Sequence, residues 1–236
     1  MNAPAQIILI DTDELLVSVI PRDSESTTLC FTGIGHAIGG VDIQSYEFIK
    51  SSQNSTTIFV VDRKRSWGNN IDFDLLIKRI TPYTEGKIVN SIGNSMGAFL
   101  AILATKFISI SSCIAFVPQF SVNRSIVPNE NRFDQYVNDI SNWKFISLAD
   151  AFNNNTAYYV FFGKDNGLED KHRALIPIQK NISMFVFKDA EWSHNVAQNL
   201  KEVQLLYPVI KSCFELRNLN EIIQEHLSNY AMIYDQ

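Results

Sequence analysis

Lys87-Ile88-Val89-Asn90-Ser91-Ile92-Gly93-Asn94-Ser95-Met96-Gly97-Ala98-Phe99-Leu100-Ala101-Ile102-Leu103-Ala104 reads as a strand, a sharp turn and a helix. The run up to Ile92 is strand-like, and the Ala- and Leu-containing run from Ala98 is helical. The five residues between them, Gly93-Asn94-Ser95-Met96-Gly97, satisfy Gly-x-Ser-x-Gly in the context which that pattern requires. The reason for the spacing is steric. A serine turned tightly between strand and helix has strained backbone angles, and side chains two residues to either side would collide. Gly93 and Gly97 remove those side chains and leave the Ser95 hydroxyl exposed above the sheet. The helix N-terminus then aims amide dipoles at negative charge forming there. The competing reading is a plain turn whose serine only caps the helix.

Working outward, strand-like runs cover Ile7–Ile10, Leu15–Ile20, Thr28–Thr32, Thr57–Val61, Lys87–Ile92, Cys113–Val117, Ala157–Phe162 and Met184–Phe187. Helical patterns fall at Ile71–Ile80, Met96–Ile108, Leu168–Gln179, Asn195–Leu205 and around Val209–Leu227. Early strands follow one another through short turns, and later ones alternate with helices. This order predicts a mixed, mostly parallel α/β sheet of about eight strands, with helices on both faces. The whole chain, residues 1–236, reads as one domain. The stretch at about 119–156 breaks the alternation. It is long for a loop, rich in Asn and studded with Phe120, Phe133, Tyr136, Trp143 and Phe145, so it is expected to pack over one sheet end as a small cap-like insertion.

A serine hydroxyl needs a base, and the base needs an orienting acid. Of the four histidines, His194 follows the last strand and precedes a helix. His172 and His226 lie on polar or mixed helical stretches and read as surface residues. The strand before His194 ends in Gly163-Lys164-Asp165-Asn166-Gly167, which places Asp165 just past its C-terminal edge; Asp170 and Asp189 compete for the same role. Ser95, Asp165 and His194 thus all fall at the carboxyl ends of strands, where open α/β sheets gather their active sites.

With these residues in place, the chain resembles the α/β hydrolases over most of its length. The resemblance implies Ser95 as nucleophile, His194 as general base and then acid, Asp165 as orienting carboxylate, and no cofactor or metal. Val61-Asp62-Arg63 with Trp67-Gly68-Asn69 is similar to the post-strand Asp-Arg…Gly-x-Ser loop of many members, with Asn69 where serine is common. Phe116-Val117-Pro118-Gln119 with Glu130-Asn131-Arg132 faintly resembles small hydrolase-like proteins of bacterial surface-polysaccharide gene clusters. The expected oxyanion donors are the Met96 amide and one from the loop Thr32–Gly40, with Ile34 ahead of Gly33. That loop departs from the family's His-Gly order, because His36 follows the first glycines. His36 either contacts substrate or caps the loop; Asn94, Trp67 and Trp143 are further substrate-binding candidates.

The expected reaction is cleavage of a small-molecule ester or thioester through an acyl-enzyme. The alternatives are acyl transfer to a sugar or other hydroxyl, and a non-catalytic binding module. A rival fold reading takes Gly33-Ile34-Gly35-His36-Ala37-Ile38-Gly39 as a dinucleotide fingerprint, with Asp62 on a ribose. The hairpin before it and the short segment after Gly40 weigh against that reading.

Composition narrows the partners. Twenty basic against twenty-five acidic residues give a net charge of −5 and no basic stripe, which argues against nucleic acid. The longest apolar run, Ala98–Ile110, is broken by Lys106 and is too short for a membrane span. Cys30, Cys113 and Cys213 are spaced like buried free thiols of a reducing compartment, so a cytoplasmic monomer or homodimer is expected.

Overall fold

The computed structural model describes residues 5–35, 44, 46–164, 167–188 and 192–233. Strands β1 (Ile7–Asp11) and β2 (Leu15–Ile20) form an antiparallel hairpin at one edge. They are followed by β3 (Ser26–Phe31), β4 (Thr56–Asp62), β5 (Ile88–Asn94), β6 (Ser112–Phe116), β7 (Ala157–Gly163), β8 (Ile182–Phe187) and β9 (Ala231–Ile233). The nine described strands form one sheet in the order β1-β2-β4-β3-β5-β6-β7-β8-β9. From β4 through β8 neighbours pair in parallel, and β9 closes the far edge antiparallel to β8. The short turn between β2 and β3 does not make a second hairpin, because β4 lies between them and pairs with both. β9 is the strand that periodicity misses; three residues after a helical stretch carry too little alternation to register.

Among the described residues the helical segments beside the sheet are α1 (Phe73–Thr84), α2 (Met96–Ala104), α3 (Asp134–Val137), α4 (Leu168–Ala174), α5 (Val196–Glu202), α6 (Leu206–Phe214) and α7 (Leu219–Ile222), which runs on as a π-helical stretch over Ile223–Leu227. α1 begins where the Asp72 carboxylate accepts the Leu75 amide at 2.9 Å, and it buries Phe73, Leu76 and Ile80 on one face. α2 is different, since all nine of its residues are buried. That follows from its place behind Ser95, packed on β3, β5 and β6, where no face is left for water. α4 and α5 stop short of the stretches that their patterns suggested, α4 ending at Ala174 and α5 at Glu202.

Parallel strands send their carboxyl ends to one edge, and aromatic side chains lock that edge together. Phe116 of β6 faces Phe161 of β7, which faces Phe185 of β8 in register, with ring centroids 4.7 and 4.4 Å apart. Such cross-strand stacks add about 0.5–1.5 kcal/mol each beyond their burial. In the stretch from 119 to 156, Phe120, Val122, Val127, Phe133, Ile140, Leu148 and Ala151 are buried. It is built from turns around the single helical turn α3.

Candidate active site

Ser95 sits between β5 and α2 with φ 56° and ψ −121°, a strained conformation for a residue with a side chain. The steric argument for its neighbours holds in the coordinates. A Cβ on Gly93 would lie 2.1 Å from the Gly97 carbonyl, and one on Gly97 would lie 2.3 Å from the Phe31 carbonyl oxygen of β3. The turn is tied to β6 by the Ser95 amide, which donates to the Phe116 carbonyl at 2.9 Å.

His194 Nε2 lies 3.1 Å from Ser95 Oγ, and its Nδ1 lies 2.8 Å from Glu169 Oε1. The carboxylate on the histidine is therefore Glu169, in the first turn of α4. Asp165, the expectation from sequence, and its competitor Asp189 lie outside the described residues; Asp170 instead pairs with Arg173 at 2.8 Å. β7 ends at Gly163, where a Cβ would lie 2.4 Å from the Ser193 amide nitrogen, so the loop bearing His194 presses directly on the strand terminus. The carboxylate approaches from one turn further along the chain.

Glu169 belongs to a larger buried network. Arg132, from the 119–156 segment, donates to Glu169 Oε1 and grips Glu130 with two nitrogens, Nε at 3.0 Å and Nη2 at 2.6 Å. Beyond Glu130 stands His172, wholly buried rather than on the surface where the helical pattern placed it. Its Nδ1 accepts the Phe120 amide at 3.1 Å, which puts its proton on Nε2, 2.8 Å from Glu130 Oε2. Burial opposes ionisation of Glu130, but the His172 N–H and the Arg132 guanidinium together hold its carboxyl down at about 2. Glu169 is likewise held below the usual carboxylate range, against its burial, by His194 and Arg132.

On its other side Ser95 meets a residue that motif logic does not supply. Gln119 Nε2 lies 3.0 Å from Ser95 Oγ, and its Oε1 accepts the Trp67 indole N–H at 3.2 Å. Both side chains are fully buried. Trp67 is thus no exposed pocket wall and reaches the serine only through Gln119. Trp143 is half-buried against the core. A signal for Gln119 was present in the sequence, as an amide two residues past the apolar run of β6.

The oxyanion candidates separate by what their amides already hold. Gly33 N–H donates to Glu47 Oε1 at 3.2 Å, while the Ile34 N–H has no acceptor among the described residues, and its carbonyl is fixed by Arg65 Nε at 2.9 Å. Burial pushes the Glu47 carboxyl up to about 7, with the Gly33 amide pulling the other way. The Met96 amide opens α2 beside Ser95. Asn94 lines an open cavity of about 660 Å³ together with Tyr46, Glu47, Gln198 and Tyr207. His36 lies outside the described residues. Asp62, the ribose ligand of the rival reading, is wholly buried and spends its Oδ2 on Ser66 Oγ and the Ser66 and Gly68 amides, at 2.9–3.0 Å. It builds the turn that carries Trp67. Among the described residues no group of three or more His, Cys, Asp or Glu is placed to hold a metal ion, and no helix is long and apolar enough to cross a membrane.

No family model and no curated protein matches the chain by sequence. Solved structures do match. A capsule O-acetyltransferase of Neisseria meningitidis serogroup A is similar at TM-score 0.59 and 14% identity, over 85% of this chain and 92% of that one. An esterase of Pyrococcus furiosus is similar at TM-score 0.57 and 12% identity, over 94% and 92% of the two chains. A lidless α/β serine hydrolase of Xanthomonas campestris is similar at TM-score 0.52 and 12% identity, over 95% of each. Sheet order, the strained turn at Ser95 and these likenesses converge: the chain has the α/β-hydrolase fold.

Proposed function

We propose that the protein is a serine esterase or thioesterase working through Ser95, His194 and Glu169. The observation that carries this reading is the unbroken contact from a strained serine Oγ to His194 Nε2 at 3.1 Å and from His194 Nδ1 to Glu169 at 2.8 Å. In acylation, Ser95 Oγ bonds to the substrate carbonyl carbon as its proton passes to His194 Nε2. The carbonyl electron pair moves to oxygen and is received by the Met96 and Ile34 amides. Collapse expels the leaving group, which takes the proton from His194. Water then attacks the acyl-enzyme, His194 accepts its proton, and the C–Oγ bond breaks as that proton returns to Oγ. Glu169 keeps the proton of His194 on Nδ1 and stabilises the imidazolium. The cavity beside Asn94, with Tyr46, Gln198 and Tyr207 on its walls, supplies room for a small acyl substrate. The three buried free thiols, a pattern common in reducing compartments, support a cytoplasmic reading.

A second reading replaces water by a hydroxyl acceptor such as a sugar. It is favoured by the likeness to the capsule O-acetyltransferase, which spans nearly all of both chains. The deciding experiment is intact-mass labelling with a fluorophosphonate on the wild type and Ser95→Ala. One adduct on the wild type, absent from the variant, supports the acyl-enzyme chemistry; no adduct on folded wild type sinks it. Product analysis of an acyl donor with and without a sugar acceptor then separates hydrolysis from transfer.

A further inference from the structure

We infer that Gln119 is a fourth catalytic residue, an amide donor held on Ser95 Oγ that stabilises this oxygen as it leaves the acyl group. The inference rests on the reading of Ser95 as nucleophile. Its first support is the direction of the hydrogen bonds. An indole nitrogen can only donate, so the Trp67 N–H fixes the Gln119 carbonyl oxygen towards itself and the NH₂ towards Ser95. With one Oγ lone pair taken by that NH₂, the hydroxyl proton goes to His194 Nε2, and His194 Nδ1–H goes to Glu169. A single orientation therefore runs from Trp67 through the triad. The second oxygen lone pair is left for the carbonyl carbon.

The backbone supplies a second support. Trp67, Ser95 and Val117 have φ of 50°, 56° and 43°, values that a residue with a side chain seldom adopts and a β-branched valine least of all. Trp67 and Ser95 are the two residues that Gln119 bridges, and Val117 lies two positions before Gln119. Strain of this kind persists where surrounding structure enforces it, and three of the eight described non-glycine residues with positive φ lie at or beside the groups that aim this amide at Oγ. Gln119 is wholly buried, so no water competes for its NH₂.

Differential binding says which step gains. In the free enzyme the amide already bonds a neutral hydroxyl, and on the way to the acylation transition state that bond strengthens modestly. In the acyl-enzyme Oγ is an ester oxygen, a poor acceptor, and it gains negative charge only as the C–Oγ bond breaks. The bond to Gln119 therefore strengthens more during deacylation than during acylation.

The test uses stopped-flow turnover of p-nitrophenyl acetate and the rate of fluorophosphonate labelling. Gln119→Leu is expected to slow steady turnover about 30-fold and labelling less than about fivefold, so that a p-nitrophenol burst grows relative to the steady rate. Trp67→Phe, which frees the amide to rotate, should move both rates the same way by a smaller amount. Gln119→Glu keeps an acceptor for Trp67 and carries the test if the leucine variant does not fold. Its neutral acid can donate to Oγ and its carboxylate cannot, so its turnover should fall on the alkaline side, where the wild type stays level. Labelling and turnover reduced by one common factor, neither reduced, or a Gln119→Glu pH profile like that of the wild type would each overturn the role of Gln119 and leave the esterase reading standing. A wild type that takes no label at Ser95 overturns both.

Discussion

Two histidine–glutamate pairs flank Arg132, His194 with Glu169 and His172 with Glu130, and both have nitrogen-to-oxygen distances of 2.8 Å. Only one faces a serine hydroxyl. His194 turns its second nitrogen to Ser95 Oγ and keeps 36% of its side chain exposed; His172 turns its second nitrogen to a backbone amide and is sealed. The chemical groups are the same, so what divides the two pairs is the partner of the second imidazole nitrogen and access to it. A buried histidine beside a carboxylate is therefore weak evidence of catalysis until its other nitrogen is accounted for.

The comparison breaks most sharply by deleting each imidazole. His194→Ala is expected to lower p-nitrophenyl acetate turnover about 10⁴-fold with little change in urea unfolding. His172→Ala should lower stability by about 2–3 kcal/mol, because the Phe120 amide and Glu130 lose a buried partner, while the folded fraction keeps turnover within about tenfold. Loss of turnover in both variants to the same degree would erase the distinction. Next in size is the acid. Glu169→Gln should cost about 10³-fold in turnover, whereas Asp165→Asn should cost less than about threefold; the reverse order would return the orienting role to the residue nearest the strand.

Arg132 joins the two pairs, and Arg132→Met tests the joint. Two buried carboxylates left without their cation should cost about 3–5 kcal/mol in urea unfolding. The smallest effect is read by pH. Because the Glu130 carboxyl is held at about 2 in the folded protein, its stabilisation is complete above about pH 4.5 and is lost as pH falls through 2. Glu130→Gln should therefore be less stable than wild type at neutral pH, by at most roughly 3 kcal/mol, with the gap closing in acid. A gap independent of pH would mean that packing, not charge, ties Glu130 in place.

The sequence was legible where its constraints are local. Gly93, Ser95 and Gly97 announce their turn because the clashes they avoid involve neighbours fixed by the strand and helix themselves. His194 was legible from its place after the last long strand. Glu169 was not, since an acid in the first turn of a helix is equally explained by the helix dipole, and nothing local marks it as a partner of a residue 25 positions away. Gln119 and Arg132 were quoted in a motif resemblance, but their partners lie 24 and 37 positions distant, and no periodicity encodes such pairings. The strand pattern likewise gave the sheet from β1 to β8, while the placement of β4 between β2 and β3 depends on long-range pairing.

For anyone reshaping this protein, the segment from 119 to 156 is less a cover than a keystone. It looks exchangeable, since it is mostly turns. Yet on its first half Gln119 reaches Ser95 and Arg132, gripped by Glu130, reaches Glu169, and Phe145 exchanges two hydrogen bonds with Asn69 on its second. Grafting a foreign loop across the whole of it would remove the side chains that hold Ser95 and Glu169. Library diversity belongs on its exposed turns, such as 141–142 and 149–150, where the backbone carries none of those contacts.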